Sequence, residues 1–506
     1  MTRLRERGLL APVTLAAVFG VGVAAYWRGL GPGDAERYIE AALRWGDGAY
    51  LGDTHWALRH LFVLPIAGSF ALLGPGELTA TLPNLIYAAL TVAVSWVFAR
   101  RYLGPLAALL SSALIATSAF FVARPLELDV YGAEAFFAIL AVWLFVVAGD
   151  ATGRWKFLLA AGFAAGLSWT VREQSSLLLA TFSLLILVER REVLRSLALV
   201  AAGFGAVIAV EMAIYALAAG DPLYRYKIDL GHRDIGVNDA MTSERARLTA
   251  RIARGARYLA TTPATTPMLA LAAAGAAYLR REKALNSATA AATIRAFGTA
   301  ALLSALLSPL VFNLSAPRYY PLLTYAAFLI VGVAIAAAWR RGRRSLAIGA
   351  LCAAVLVNLA ATDFSRDGQY AEAKIIARLA IADAGPIFTD ALSVNRARFQ
   401  LRLSGWSAER AAAAVRNIRD VEAGALAFKT ERVKIDDRPL CVLKVFGARK
   451  LGLTHMVMQK TGVSRLVGGD FERRTAPPPP ALLVRILSEP GELDPATGKP
   501  CLKGDG

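Results

Sequence analysis

Two carboxylates lie close together near the start of the chain, just after a long apolar run from Leu9 to Trp27. Residues 33–38 read GDAERY, which places Asp34 and Glu36 two positions apart. Carboxylates at the edge of an apolar helical bundle are costly to desolvate, so they are functional candidates. Such a group can take a proton as a general base. We therefore take Asp34 as the first catalytic candidate, and the structural alternative is that it caps a helix from Ala35 to Trp45.

Two further segments carry more polar residues than are needed merely to connect membrane-spanning helices. They are the rest of the first outer loop, residues 30–77, and the RPLELD segment at residues 124–129. We assign Asp129 a catalytic role, with capping of the next helix as the alternative. The candidate side chains of these two segments are Arg59, His60, Glu127 and Asp129.

A cationic loop from residue 220 to 258 breaks the usual topology rule. Cationic loops normally stay on the cytoplasmic side, yet this one is predicted to face outward. Arginine can bind a phosphate through two parallel hydrogen bonds, so we expect the phosphate of a lipid-linked substrate to bind here. The alternative, which is compatible, is an amphipathic helix from Glu244 to Arg257 on anionic lipid. The candidate phosphate ligands of this loop are Arg225, Lys227 and Arg233.

Apolar blocks must position these loops, because 56% of the 506 residues are hydrophobic. Each block approaches the roughly 20 residues that a helix needs to cross a bilayer. We predict a polytopic α-helical membrane protein with about eleven spans, and a short apolar piece from Leu61 to Leu73 along the interface. The predicted spans are residues 9–29, 78–99, 105–122, 131–148, 156–171, 174–188, 196–219, 259–279, 293–312, 319–339 and 345–361.

Arginine and lysine set the predicted orientation. Three arginines precede the first span, and cationic clusters such as Arg100-Arg101 and Arg340-Arg341 close every second loop. The N-terminus is therefore predicted inside and the C-terminus outside. The net charge of +18 is mostly this topology signal, so no nucleic-acid partner is expected. We expect the first span to be retained, because no convincing cleavage site follows it.

Residues 362–506 are predicted to form a small extracytoplasmic α/β domain after a catalytic membrane domain of residues 1–361. Short apolar runs at 387–389, 425–428 and 440–445 predict strands, and residues 407–419 predict a helix. The Pro477–Pro480 run is predicted to end the ordered part, with a flexible tail after it. Cys441 and Cys501 would share the oxidising side, where a disulfide and two free thiols both remain open.

The order of these motifs resembles the C-type (GT-C) membrane glycosyltransferases, in particular the superfamily of protein O-mannosyltransferases and lipid A aminoarabinose transferases. The likeness covers about residues 1–340. The family motif has Asp followed directly by Glu, whereas here Ala35 follows Asp34 and Glu36 comes one place late. The resemblance therefore gives Asp34 the leading role. The segments that carry it are residues 33–38, 59–60, 73–74, 123–129 and 317–322.

This resemblance implies a fold and a reaction. Enzymes of this kind move a sugar, a hexose or a pentose, from a polyprenyl phosphate to an acceptor glycolipid, polysaccharide or protein, with inversion. Asp34 would be the general base, and nearby cations would stabilise the departing phosphate. The setting would be the outer face of a bacterial inner membrane, with the C-terminal domain in the periplasm. The further candidates for substrate contact are Arg172, Arg318, Tyr319 and Tyr320.

No cofactor is expected. No Cys or His cluster has metal-ligand spacing, although Asp34, Glu36, Glu127 and Asp129 together offer oxygen ligands for a divalent ion. A glycine-rich nucleotide loop followed by Lys is also missing from the sequence, which disfavours a nucleotide-sugar donor.

Two other functions remain open. A transporter or flippase should carry polar residues within its spans, whereas only Glu211 is predicted deep in one here. A lipid-glycan ligase or polymerase would use a similar bundle with an oligosaccharide donor. The concentration of polar groups in outer loops favours an enzyme.

Overall fold

A computed structural model describes residues 2–501 of the chain, with gaps. The gaps are residues 28, 31–33, 47, 49–50, 191, 234–243, 263–264, 286, 313–316, 366–370, 383–384, 431–432, 434–438, 447–455, 458–459, 463–480, 489–492 and 494–499. The chain divides into two compact units. The first comprises residues 1–28, 33–74 and 78–366, and the second comprises residues 29–32, 75–77 and 367–506.

The first unit is helical. Its first helices are α1 (Thr2–Tyr26), α2 (Ala35–Gly46), α3 (His60–Leu73), α4 (Glu77–Tyr102), α5 (Pro105–Ala116), α6 (Arg124–Leu126), α7 (Tyr131–Asp150) and α8 (Arg154–Val171). They are followed by α9 (Leu177–Glu189), α10 (Val193–Ala219), α11 (Tyr224–Arg233), α12 (Glu244–Thr261), α13 (Thr266–Arg281), α14 (Ala288–Val311), α15 (Pro321–Arg340) and α16 (Arg344–Ser365).

Six of the described helices are long and apolar enough to cross a membrane, and the bent pair Pro105–Ala116 and Ala119–Leu126 would make a seventh span. The six are α4, α7, α10, α14, α15 and α16. Each predicted span overlaps a helix of the structure, but several of these helices are too short to count as spans, so the number of about eleven stays a prediction. The apolar piece predicted at the interface is α3, which has 14 residues.

The centre of the bundle consists of α7 and α15, whose apolar windows are each 83% buried. A polar relay joins them to α4: Trp143 Nε1 donates to the Tyr325 hydroxyl at 2.8 Å, and that hydroxyl donates to Ser95 Oγ at 2.9 Å. All three side chains lie in apolar surroundings, where an unpaired polar group would be costly. The relay therefore fixes how these helices are aligned.

Glycines let α8 and α10 approach closely. A Cβ at Gly162 would collide with the carbonyl of Val200, and one at Gly203 would collide with the carbonyl of Leu159. Small residues of this kind are typical of helix contacts in membranes, where close backbone packing replaces the hydrophobic drive. The contact holds the end of α8 next to the helices that follow α10.

Arg225 fastens α11 to this pair of helices. Its guanidinium lies 2.5 Å from Glu173, 2.7 Å from Glu211 and 3.3 Å from Asp229, and it also donates to the Thr170 carbonyl at 2.9 Å. Its side chain is 3% exposed. Burying one charge costs several kcal/mol unless it is paired, and here three carboxylates from separate segments pair with it. The Arg225 cluster, defined as these four ionisable residues, thus joins α10, α11 and the segment after α8.

The second unit contains α17 (Ala371–Ile381), α18 (Ala391–Leu403), α19 (Ala408–Ala414) and a mixed sheet of order β2-β1-β3-β5-β4. The first two pairings, β1 with β2 and β1 with β3, are parallel, and β5 pairs antiparallel with β3 and β4. Phe388, Ala427, Val442 and Val484 form its core. The strands are β1 (Ile387–Thr389), β2 (Val415–Asn417), β3 (Leu426–Lys429), β4 (Leu440–Phe446) and β5 (Ala481–Ile486).

Two expectations for this unit were wrong. Ser407 does cap a helix by accepting from the Arg410 N–H at 3.2 Å, but the helix ends at Ala414 and residues 415–417 form β2. Pairing with β1 outweighs the local helical spacing. The Pro477–Pro480 run does not end the ordered chain, because β5 follows it directly and supplies two neighbouring strands with partners.

The open question about the cysteines is resolved. Cys441 on β4 and Cys501 form a disulfide, with their Cα atoms 5.0 Å apart. This bond ties the end of the described chain to the sheet.

Replacing Arg225 by Gln should unfold the first unit at lower denaturant concentration. The change leaves the buried Glu211 and the half-buried Glu173 and Asp229 without their cation, and breaking a buried pair costs about 3–5 kcal/mol. Denaturant titration in detergent, followed by tryptophan fluorescence, measures this loss. As a control, Arg44→Gln removes an ion pair with Glu40 that is half-exposed, and it should shift the midpoint little. An unchanged midpoint for Arg225→Gln would contradict the stabilising role of the cluster.

Candidate functional site

Asp34 lies at the N-terminus of α2 with an exposed side chain. Its carbonyl accepts from the N–H groups of Arg37 at 3.0 Å and Tyr38 at 3.2 Å, so its backbone begins the helix. No side-chain hydrogen bond to the helix is present among the described residues. The carboxylate is therefore accessible from solvent, and a general base must be accessible to the group whose proton it takes.

Tyr38, one turn further along α2, connects Asp34 to the other site residues. Arg59, immediately before α3, donates a hydrogen bond to the Tyr38 hydroxyl. Burial raises the pKa of Tyr38; Arg59 opposes this, whereas the charges of Asp34 and Asp129 add to it. The two carboxylates predicted from separate loops therefore act on the same hydroxyl.

The segment that carries Asp129 has an unusual backbone. A π-helical turn at residues 119–123 begins with Ser118, whose Oγ accepts from the Phe121 N–H, and Leu128 has a positive φ of 57°. Asn84 on α4 holds the turn by donating to the carbonyls of Pro125 at 3.0 Å and Asp129 at 2.8 Å. Such strained turns persist only where surrounding contacts determine them, and they cluster at functional sites.

Two carboxylates in this turn are held differently. Asp129 lies 3.2 Å from Arg124, and burial raises its pKa while Arg124, Arg318 and Arg172 oppose the rise. Burial also raises the pKa of Glu127 to about 7; Arg124 opposes this, and Asp129 adds to it. Asp129 thus lies within electrostatic reach of Arg172 and Arg318, two of the candidates for substrate contact, and Glu127 changes charge near neutral pH.

Arg172 follows the last turn of α8 and is buried between two aromatic rings. Its guanidinium carbon lies 4.6 Å from the centroid of Tyr131 and 4.3 Å from that of Tyr319, and its Nη1 is 3.8 Å from Glu134. Gln174 donates to Glu134 at 2.6 Å and to the Tyr319 carbonyl at 3.1 Å. These contacts bring the end of α8 against the segment before α15.

Arg318 is exposed just before α15, and it donates to the hydroxyl of Tyr319 at 3.1 Å. Burial alone would raise the pKa of Tyr319, but Arg318 and Arg172 together lower it. Two cations from different segments thus converge on one phenol. Among the sequence-predicted residues, the structure brings together Asp34, Arg59, Glu127, Asp129, Arg172, Arg318 and Tyr319.

Other predicted site residues are placed differently. Arg225 is saturated by the carboxylates of its own cluster, which does not fit the role of an open phosphate ligand. Lys227 is exposed and pairs with Asp221 at 2.6 Å. The side chain of Arg233 lies outside the described residues. Tyr320 is buried at the start of α15.

The remaining two candidates lie on α2 and α3. Glu36 is half-buried in the first turn of α2, two residues after Asp34. His60 is half-buried, with Nδ1 at 3.4 Å from the Tyr215 hydroxyl on α10.

Several residues near the candidate site were missed from the sequence. Glu134 lies in the first turn of α7 and is only 1% exposed. A carboxylate inside an apolar span is itself a functional signal, and that rule would have found it. The positions of Tyr131 and Gln174 depend on tertiary packing, and no local pattern marks them.

The arrangement combines a solvent-facing carboxylate with several arginines at one end of an apolar bundle. Such a set can accept a proton and stabilise an anion that gains charge. No group of three or more His, Cys, Asp or Glu side chains within the described chain is arranged to hold a metal ion.

Comparison with known proteins gives matches in sequence and fold. Residues 61–215 match the family described as dolichyl-phosphate-mannose-protein mannosyltransferase. None of the curated proteins compared with the chain matches it.

Two solved structures share the fold along most of this chain. ArnT from Cupriavidus metallidurans in the apo state has a TM-score of 0.59 and 14% identity, over 97% of this chain and 99% of that one. The oligosaccharyltransferase of Archaeoglobus fulgidus in the apo form has a TM-score of 0.54 and 12% identity, over 81% of this chain and 65% of that one.

ArnT has also been solved bound to undecaprenyl phosphate, and that structure aligns with a TM-score of 0.53 and 14% identity, over 96% of this chain and 99% of that one. The family match and these folds together confirm the resemblance found in the sequence: this multi-pass membrane chain has the fold of the C-type glycosyltransferase superfamily.

Proposed function

We propose that this protein is an inverting glycosyltransferase that moves a sugar from a polyprenyl phosphate to an acceptor on the outer face of the membrane. One observation carries the proposal: Arg172 and Arg318 come from different segments, and their guanidinium carbons lie 4.3 Å and 5.1 Å from the ring centroid of Tyr319. Burial raises the pKa values of Asp129 and Tyr38; both arginines oppose the rise at Asp129, and the charge of Asp34 adds to the rise at Tyr38. The proposed proton acceptor and the proposed phosphate ligands therefore lie in one region. Similar folds support the donor class, since ArnT was solved with undecaprenyl phosphate and the archaeal enzyme with a dolichol-phosphate.

Asp34 is the general base of the proposed reaction. The acceptor hydroxyl oxygen attacks the anomeric carbon and loses its proton to the Asp34 carboxylate. The bond between that carbon and the phosphate oxygen breaks, and its electron pair stays on the phosphate. Attack from the face opposite the leaving group inverts the anomeric centre. Asp34 suits the base role better than Asp129, because Asp129 is already paired with Arg124 at 3.2 Å.

Arg318 is the proposed main ligand of the departing phosphate, with Arg172 behind it. The phosphate gains negative charge as the bond breaks, so a fixed cation stabilises the transition state more than the ground state. Arg318 is exposed, and its one hydrogen-bond partner within the described part of the chain is the phenol of Tyr319, which leaves its guanidinium open to an anion. Arg172 is buried, and its positive charge is partly neutralised by Glu134. It would therefore stabilise the phosphate by electrostatic attraction over a distance rather than by direct contact.

The proposed orientation puts this site and the second unit outside the cytoplasm. The disulfide between Cys441 and Cys501 supports it, because disulfides persist in oxidising compartments such as the periplasm. A bacterial inner membrane is the corresponding location. The acceptor class stays open among glycolipid, polysaccharide and protein, since fold likeness does not settle substrate.

Asp34→Asn should abolish transfer while the protein stays folded, because the amide cannot take the acceptor proton. Losing a general base lowers the rate by about 10²- to 10⁴-fold. Release of polyprenyl phosphate from a labelled donor measures turnover. Glu40→Gln, an exposed change on the same helix, is the matched control and should keep wild-type turnover. Near-normal turnover by Asp34→Asn removes the general-base assignment.

Arg318→Gln should raise the KM for the donor and lower kcat, because it removes a cation from the phosphate in both the ground and transition states. Loss of one charge-assisted hydrogen bond corresponds to roughly tenfold or more in kcat/KM. Arg318→Lys keeps the positive charge and should recover part of the lost kcat/KM.

A comparison with Lys227→Gln tests whether the cationic loop binds the donor phosphate instead. If only Lys227→Gln impairs donor use, the phosphate binds on α11.

Activity should fall as pH rises through about 7, the pKa to which burial raises Glu127. Below that pH the carboxyl is neutral; above it, a second negative charge beside Asp129 repels the anionic donor. Glu127→Gln stays neutral and should retain its activity at higher pH. The check is a profile of kcat/KM against pH for both proteins, and identical profiles would exclude Glu127 as the titrating group.

A further inference from the structure

A cavity lies at the end of the helical bundle away from the candidate site. It has a volume of about 400 Å³ and opens between the last turns of α7 and α9 and the first turns of α8 and α14. Along α7, its lining residue Asp150 is 19 residues beyond Tyr131, which contacts Arg172 of the candidate site. A rise of 1.5 Å per residue puts the two regions about 28 Å apart. The cavity is thus separate from the proposed glycosyl-transfer site.

The residues that line this cavity include two cations. Arg154 and Arg295 both line it, and Arg295 is exposed with no ion-pair partner among the residues that the structure describes. Arg154 pairs with Glu189 at 3.1 Å through Nη2, but its Nε is buried without a hydrogen-bond partner. The other lining carboxylate, Asp150, lies 3.8 Å from Arg101. Each of the two lining carboxylates is therefore paired with an arginine, whereas Arg295 has no ion-pair partner among the described residues.

Backbone dipoles add to the positive potential. Two helices begin at the cavity: α8 begins at Arg154, and the first residues of α14, Ala288 and Thr289, line it. The N-terminus of a helix carries a partial positive charge and free N–H groups, which favour a bound anion. The dipoles reinforce the arginines, and the combination predicts an anionic ligand.

Part of the cavity lining is apolar. Phe145, Leu185, Val188 and Ala292 contribute to it, and Val188 is 59% exposed. A cavity of this volume is within the usual range for small-molecule sites. Two arginines and several apolar side chains, one of them exposed, match a phosphate headgroup with an attached acyl chain. A free inorganic phosphate would make no contact with the apolar side chains.

We infer that this cavity binds an anionic phospholipid, with its phosphate at Arg295 and Arg154 and its acyl chain along Leu185, Val188 and Ala292. The arginine distribution predicts this end of the bundle to be cytoplasmic, so the lipid would come from the inner leaflet. Basic pockets between spans on that side are known to suit anionic headgroups. The bound lipid would join α7, α8, α9 and α14 without contacting the transfer site.

Lipid retention tests this site independently of activity. Full-length protein is purified from vesicles of phosphatidylcholine with or without phosphatidylglycerol, and bound lipid is counted by native mass spectrometry. Wild type should retain one phosphatidylglycerol and unfold at a higher temperature with it. Arg295→Gln should weaken retention about tenfold, as expected for one lost charge-assisted contact. Ala292→Phe, which fills the apolar side without changing charge, should lower retention and keep the fold.

Arg280→Gln supplies the control, because Arg280 is an exposed cation at the end of α13 that does not line the cavity. It should retain lipid like wild type. Equal losses for Arg280→Gln and Arg295→Gln would overturn the site in favour of general surface charge. Inorganic phosphate is the second probe: if it raises the unfolding temperature as much as phosphatidylglycerol and Ala292→Phe leaves both effects intact, the ligand is a free anion and the lipid assignment is wrong.

Discussion

The packing at the site end of this protein depends on the pairing of charges held inside an apolar bundle. Arg225 is enclosed by three carboxylates, and Arg172 lies between two aromatic rings beside Glu134. An unpaired charge in such surroundings would cost several kcal/mol, so each arginine holds its partners in place. Because Glu173 of the Arg225 cluster is the neighbour of Arg172 in sequence, the two pairings fix the same short segment.

Some charged residues are paired within the protein and have a structural role, whereas others remain accessible to the proposed substrate. Arg225 and Asp129 have partners within the chain, whereas Asp34 and Arg318 are exposed. A base must reach the acceptor proton, and a phosphate ligand must meet an incoming anion. The exposed pair therefore suits the chemistry, and the enclosed residues keep it rigid. Preorganisation of this kind lets fixed charges stabilise a transition state without rearranging.

The candidate site residues chosen from the sequence are those that a local pattern marks. Asp34 and Asp129 stand in short polar motifs next to apolar runs, and the topology rule put both motifs on one side. The sequence could not distinguish an open cation from an enclosed one. Arg225 resembled a phosphate ligand because its partners Glu173 and Glu211 are 52 and 14 residues away and meet it only after folding.

The second unit shows the same limit. Its strands at 387–389 and 440–446 were visible as apolar runs, but β5 was hidden behind four prolines and β2 inside an apparent helix. Both missed strands owe their structure to pairing with distant segments: β2 with β1, and β5 with β3 and β4. Local propensity is a weak guide where such pairing decides the outcome.

The central claim is that the site cleaves the bond between a sugar and a polyprenyl phosphate. Its most direct test follows a labelled polyprenyl-phosphate monosaccharide with purified protein in vesicles. The account predicts acceptor-dependent release of polyprenyl phosphate, with the label moving to the acceptor. Movement of intact donor across the bilayer without cleavage would contradict it and identify a transporter instead.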